Sequence, residues 1–147
     1  KAWIDKVYFS GGGSQKNSFA EEALNIKDIN INFIGHLSRK DLNVIYEKSH
    51  IIILPSSSEG FPKVIAEASA YGCVPIVSKV GSISQYINED NGLLINSLSA
   101  KAIVNALLLL KNNRKELIRK ANNAMKLSRY FTYGRYNQRI KELVDSQ

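Results

Sequence analysis

Two carboxylates flanking a turn are the residues of this sequence best suited to chemistry. In the run Ser56-Ser57-Ser58-Glu59-Gly60-Phe61-Pro62-Lys63-Val64-Ile65-Ala66-Glu67-Ala68, seven residues separate Glu59 from Glu67. A carboxylate only accepts hydrogen bonds, and it can take them from a vicinal diol. A helix start offers free N–H groups and the positive end of a dipole, which favour anions. A glutamate pair around a helix N-terminus therefore suits a ligand with both hydroxyls and phosphates, such as a nucleotide sugar.

The neighbouring residues supply that helix start. The apolar run His50-Ile51-Ile52-Ile53-Leu54-Pro55 reads as a buried strand that stops at a proline. Gly60 then gives a tight turn, and Pro62 suits the first helical position. Glu59 falls on the loop at the carboxyl end of the strand. Glu67 falls in the second helical turn, about 7 Å along the axis. Further strands are expected at residues 6–10, 31–34, 75–78 and 93–95. Helices are expected at 17–24, 39–48 (with Ser38 as N-cap), 82–87, 99–111, 114–127 and 134–144. This alternation predicts an α/β fold with a doubly wound parallel sheet and right-handed crossovers. In such sheets ligands bind beyond the carboxyl ends of the strands. Gly11 to Gly13, Gly35 and residues 59–63 all follow strands.

Taken alone, these residues also have plainer readings. Glu59 can be an ordinary loop residue, and Glu67 a solvated helix residue paired with Lys63 at i−4. Lys63 can bring charge to a phosphate or simply stay in water. Phe61 can wall a site or anchor the core. Gly11-Gly12-Gly13-Ser14 lacks dinucleotide-loop spacing, since Lys16 stands where a third glycine would be, and it lacks a P-loop ending. His36 and His50 fit loop and strand-start positions without a catalytic role. Cys73, the single cysteine, rules out an internal disulfide framework and reads as a small packed residue rather than a nucleophile. No Asp-x-Asp pair or zinc spacing implies a metal.

Residues 32–95 as a set carry more than the pair alone. Phe33-Ile34-Gly35, Leu42 to Tyr46, Leu54-Pro55-Ser56, Glu59-Gly60-Phe61-Pro62 through Glu67-Ala68, Gly72, Pro75-Ile76-Val77-Ser78 and Asn91-Gly92-Leu93-Leu94-Ile95 follow one another in order. This order resembles the C-terminal, donor-binding half of retaining GT-B glycosyltransferases, family four (glycosyl transferases group 1). The likeness extends over most of the chain. It implies a Rossmann-like domain over residues 1–147, with a tail helix at about 133–145 and without the family's first strand-helix unit. It implies that Glu59 meets the transferred sugar and that Glu67 meets the ribose hydroxyls. Gly60, Phe61, Pro62, Lys63 and Val64 line the donor diphosphate. Backbone N–H groups of Phe61, Lys63 and Val64 can face it, whereas Pro62 has none to give. Gly12 and Gly35 border the same site. The resemblance also implies transfer with retention from a nucleotide diphosphate sugar, with no metal or cofactor. The acceptor is a glycan or a lipid-linked sugar, and surface polysaccharide assembly is a compatible pathway.

This sequence departs from the family pattern in two places. Gly81-Ser82-Ile83-Ser84-Gln85 stands in place of the frequent Gly-Gly-x-Pro-Glu, and Gly72-Cys73-Val74-Pro75 is one residue longer than the usual Gly-x-Pro. Both bear on sugar specificity more than on fold. The first residue is Lys1 rather than Met, so the chain reads as a piece of a longer protein. The family's N-terminal acceptor domain, and the Arg and Lys that grip the diphosphate, are expected upstream, and the piece alone is expected to be inactive. In the resembled family the last helix crosses back toward that domain. Some of Tyr130, Phe131, Tyr133 and Tyr136 are therefore expected to be exposed or covered by another copy of the chain.

Composition bounds the alternatives. The 147 residues suffice for one domain with a substantial core, and the apolar fraction is 44%. The longest apolar run, residues 106–110, cannot cross a bilayer, and no signal peptide is visible. A cytoplasmic location follows as the expectation, with peripheral attachment at the inner face of a membrane as an extension of it. The net charge of +7 allows an anionic membrane surface as partner, or a nucleic-acid-binding domain as a rival function. Its Lys and Arg are densest over residues 111–139, on expected helices, and match no aromatic RNA-binding signature, so a solvated basic helical face accounts for them. A non-catalytic nucleotide-binding module is the other alternative.

Overall fold

The structure, a computed structural model, describes residues 3–12, 16–96 and 98–146, with backbone only for residues 16 and 17. Gly13 and Ser14 of the glycine loop lie outside them. The chain forms two compact units, Lys1–Ile45 and Tyr46–Gln147.

The first unit holds β1 (Lys6–Ser10), α1 (Lys16–Ala23), β2 (Asn30–Gly35) and most of α2 (Arg39–Glu47). β1 and β2 pair in parallel from Lys6↔Asn30, with an irregularity between Phe9 and Ser10. Phe9 and Phe33, opposite each other in this register, stack with centroids 4.9 Å apart. The N-cap expected at Ser38 forms: its hydroxyl accepts from the Asp41 N–H at 3.2 Å and donates to the Asp41 carboxylate at 2.6 Å.

The second unit holds β3 (Ile51–Leu54), α3 (Lys63–Ala70), β4 (Val74–Ser78), a 3-10 turn (Ile83–Gln85), β5 (Leu93–Ile95), α4 (Ala100–Asn112), α5 (Arg114–Leu127), a second 3-10 turn (Ser128–Phe131) and α6 (Tyr133–Asp145). β4 lies between β3 and β5, parallel to both. Every residue of β4 is buried, as a central parallel strand requires. Pro75 is tolerated there because pairing to β5 begins one residue later, at Ile76↔Leu93. The core beside this sheet gathers Ile65, Val77, Ile83, Ile87 and Leu127, with Leu54, Phe61, Val80, Tyr86 and Leu94 packed on it. Ser99, Asn113 and Thr132 cap α4, α5 and α6 by accepting backbone N–H bonds.

The parallel α/β architecture agrees with the sequence reading, and three local differences emerge. The strands are divided between two hydrogen-bonded sheets, β1-β2 and β3-β4-β5. β3 is not fully buried: Ile53 is 40% exposed while its partner Ile76 is fully buried, and among the described residues β3 pairs on one side only. Pro62 is the N-cap of α3 rather than its first residue, with ψ at 124°. The residue that proline fixes is therefore the one that turns the chain into the helix.

Candidate functional site

The 59–63 turn leaves the carboxyl end of β3 and enters α3, as the sequence predicts. Glu59 is half-buried. Its Oε1 accepts a hydrogen bond from the Ser56 hydroxyl at 3.0 Å, so one carboxylate oxygen is held and the other keeps acceptor capacity. Beneath it runs the loop that follows β4. A Cβ on Gly81, whose φ is +53°, would stand 1.7 Å from the Glu59 carbonyl oxygen and 3.2 Å from that of Gly60. Only glycine lets the two loops close to this distance. A Cβ on Gly60, by contrast, would meet no atom within 4 Å.

Pro62 sets the entry to α3, and its carbonyl accepts from the Ile65 N–H at 3.0 Å. The N–H groups of Lys63 and Val64 open the first helical turn and have no acceptor among the described residues. The Lys63 side chain is exposed. Phe61 is an anchor: it packs on the core and against two other rings, Tyr86 and Phe131.

Glu67 is half-buried one turn along α3. Its charge reaches the Tyr46 phenol, whose pKa is pushed up to about 12, first by burial and then by this carboxylate. Cys73 is fully buried, and its thiol donates to the carbonyls of Tyr46 and Ser49 at 3.4 and 3.3 Å. Burial pushes that thiol up to about 11, so it is a packed residue and not a nucleophile.

Gly12 and Gly35 come together in the first unit. The Gly11 N–H donates to the Gly35 carbonyl at 2.8 Å, and the Ser10 hydroxyl reaches the same oxygen at 3.4 Å. His36 then lies over Gly12, where a Cβ would stand 2.8 Å from its Nε2. The structure thus gathers Glu59 to Glu67 in one unit and Gly12 with Gly35 in the other.

Several positions were not visible as site residues in the sequence: Ser56, Gly81, Tyr86 and Phe131. Ser56 is one of three consecutive serines, and only the turn shows which one reaches Glu59. Gly81 stood inside a segment that departs from the family pattern, which concealed its contact.

A cavity of about 590 Å³ lies against the loop that enters β5, lined by Tyr86, Asn88, Asn91, Asn123, Lys126 and Tyr130 among others, and shares only Tyr86 with the ring cluster around Phe61. Its amides are bonded within the wall: Asn91 donates to the Tyr86 carbonyl at 2.8 Å, and Lys126 to Asn123 at 2.9 Å. It is the seam between this loop and α5. Beside it, Arg119 bridges Asp90 and Glu116 at 2.8 Å each, and buried Lys120 holds Glu116 at 3.1 Å and the Glu89 carbonyl. These charges pin the loop to α5. Among the described residues, no three His, Cys, Asp or Glu side chains are grouped to hold a metal ion. No helix among them is long and apolar enough to cross a membrane.

Comparison with known proteins adds the family. Residues 6–127 match the family described as glycosyl transferases group 1. An uncharacterized glycosyltransferase of Haemophilus influenzae is 36% identical over 114 residues, 76% of this chain and 31% of that protein. The N,N'-diacetylbacillosaminyl-diphospho-undecaprenol alpha-1,3-N-acetylgalactosaminyltransferase of Campylobacter jejuni is 27% identical over 91% of this chain and 35% of its own length. The chain spans about a third of the length of these curated relatives. Among solved structures, Anabaena Alr3699/HepE in complex with UDP-glucose superposes with a TM-score of 0.79 at 21% identity, over 95% of this chain and 40% of that one. That likeness places the fold as the Rossmann-like C-terminal half of a GT-B protein.

Proposed function

Because the chain belongs to the glycosyl transferases group 1 family, we propose that it is the donor-binding half of a retaining glycosyltransferase. The observation that carries this reading is the Glu59 carboxylate, held by Ser56 in the turn that enters α3, where the N–H groups of Lys63 and Val64 have no acceptor among the described residues. Those N–H groups and the helix dipole suit a diphosphate. Glu59 suits the hydroxyls of the transferred sugar, and Glu67 those of the ribose. Gly60, Phe61 and Pro62 shape the turn. In the longer protein an N-terminal domain brings the acceptor, a glycan or lipid-linked sugar. The donor phosphate then helps to deprotonate it while Glu59 orients the sugar. No metal or cofactor enters this scheme. The protein supplies positioning and stabilisation of the leaving diphosphate.

UDP is the nucleotide to try first, since HepE was solved with UDP-glucose. Titrated into the chain, it should move the amide signals of residues 60–67. In the longer enzyme, Glu67→Ala should mainly weaken nucleotide binding, and Glu59→Ala mainly lower turnover. Wild-type kinetics in both variants would remove the pair from the mechanism. Shifts confined to residues 111–139 would instead indicate a general polyanion site.

A further inference from the structure

The turn that carries Glu59 is held from outside by a cluster of rings. Phe61 lies nearly face to face with Phe131, centroids 4.2 Å apart and planes 7° from parallel. Tyr86 closes the group, 4.9 Å from each, at 64° to Phe61 and 58° to Phe131. Phe61 and Tyr86 also pack on the core, so the inner side of the cluster is fixed. Phe131 belongs to a different segment, the 3-10 turn Ser128–Phe131 between α5 and α6, and it is 39% exposed.

That segment is itself well seated. It packs against both α3 and α5, and the Ser128 hydroxyl donates to the Met125 carbonyl at 2.9 Å. Thr132, the next residue, caps α6. The 59–63 turn has fewer internal supports. Gly60 has no side chain to brace it, Pro62 fixes one dihedral, and the ring of Phe61 is the handle between them. Ser56 holds the carboxylate, Gly81 underlies the Glu59 backbone, and Phe131 covers the outer face of Phe61.

We propose that Phe131 is a positioning residue of the donor site: by stacking on Phe61 it fixes the 59–63 turn so that Glu59 and the Lys63 and Val64 N–H groups face the donor together. The role of the turn rests on the reading given above, whereas its seating by Phe131 does not. A residue that merely covered apolar surface would be replaceable by leucine. A flat ring on a flat ring is not, since stacking adds to area burial.

The experiment compares Phe131→Leu, Phe131→Tyr and the wild type in the full-length protein. Phe131→Leu should move the amide signals of Gly60 and Lys63 in the ligand-free protein and quicken their hydrogen exchange. It should raise the donor KM roughly three- to tenfold, the range an aromatic pair supports, and leave the acceptor KM unchanged. Phe131→Tyr should restore both properties. A general folding defect would instead lower kcat through the active fraction and leave both KM values in place. That result would overturn the proposal, as would a wild-type donor KM in Phe131→Leu, whether or not the Gly60 and Lys63 signals move. A full-length wild type that uses no nucleotide sugar would refute the functional reading. The seating would then be judged by the amide signals alone, and unmoved signals in Phe131→Leu would overturn it.

Discussion

Glu59 and Glu67 share a helix entrance, but the structure gives them different surroundings. Glu59 has a partner that can be removed without touching the carboxylate. Ser56→Ala deletes a hydrogen bond to a charged acceptor, a contact worth about 1.5–3 kcal/mol when well formed. Glu59 is only half-buried, so the lower end applies, and turnover in the longer enzyme should fall roughly tenfold. Ser56→Thr, which keeps the hydroxyl, should recover most of it, and initial rates at saturating donor check both. Glu67 has a reporter in Tyr46. Its carboxylate is the second cause of the raised phenol pKa, so Glu67→Gln should lower that pKa from about 12, while burial keeps it above the ordinary 10.0. The ring carbon signals of Tyr46, followed against pH by NMR, measure it. An unchanged value would show that Glu67 faces away from Tyr46. Both glutamates were legible in the sequence because they stand inside an ordered set of motifs. The contacts that hold them were not, since a Ser-to-Glu bond three residues apart depends on a turn that no residue type announces.

Most elements formed where periodicity and capping residues predicted them. β1, β5 and α5 match the expected limits, and the others shift by a residue or two or, at the first 3-10 turn, shorten. The second 3-10 turn was missed because Ser128–Phe131 has neither a strand nor a helix period, although it carries Phe131. The burial of β3 was overread: a run of isoleucines looks the same whether the strand has one neighbour or two. The join between the end of α2 and the start of β4 is where Cys73 donates to the Tyr46 carbonyl, and both residues titrate abnormally. Each holds its proton more tightly folded than unfolded. The unfolded chain therefore loses protons first, and stability falls as pH rises, between about 9 and 11 for Cys73 and between about 10 and 12 for Tyr46. At about 1.4 kcal/mol per unit, each costs up to about 3 kcal/mol across its window. Below pH 9 neither contributes. Cys73→Ala should therefore delay the onset of the alkaline loss by about one pH unit, whatever its effect at neutral pH. Urea midpoints from pH 8 to 11 would show this, and parallel curves for the two proteins would contradict it.

At the scale of the molecule, the described residues leave strand edges and apolar side chains uncovered. Among the described residues, β1 and β3 each pair on one side only. The apolar side chains of α6 are unburied, with Tyr133 90%, Tyr136 64% and Leu143 64% exposed, and Tyr130, just before it, is 61% exposed. This agrees with the expectation that some of the tail aromatics are uncovered. The order of motifs fixed which strand follows which, but no residue in it says what lies against α6. The expected consequence is a separation of binding from transfer. The chain should fold, because β4 and its core are closed within the second unit. It should bind UDP weakly, since the neutral N–H groups at the α3 entrance lack the strength of charge-assisted phosphate contacts. It should transfer no sugar, because an acceptor that is not positioned forfeits a proximity advantage of up to about 7–11 kcal/mol. The measurement incubates this chain and the longer enzyme, side by side, with UDP-sugars and an acceptor extract, and follows labelled sugar into glycan. Comparable incorporation by the chain alone would mean that the acceptor site lies within these 147 residues. The α6 stripe and the 59–63 turn would then have to be reconsidered as its two sides.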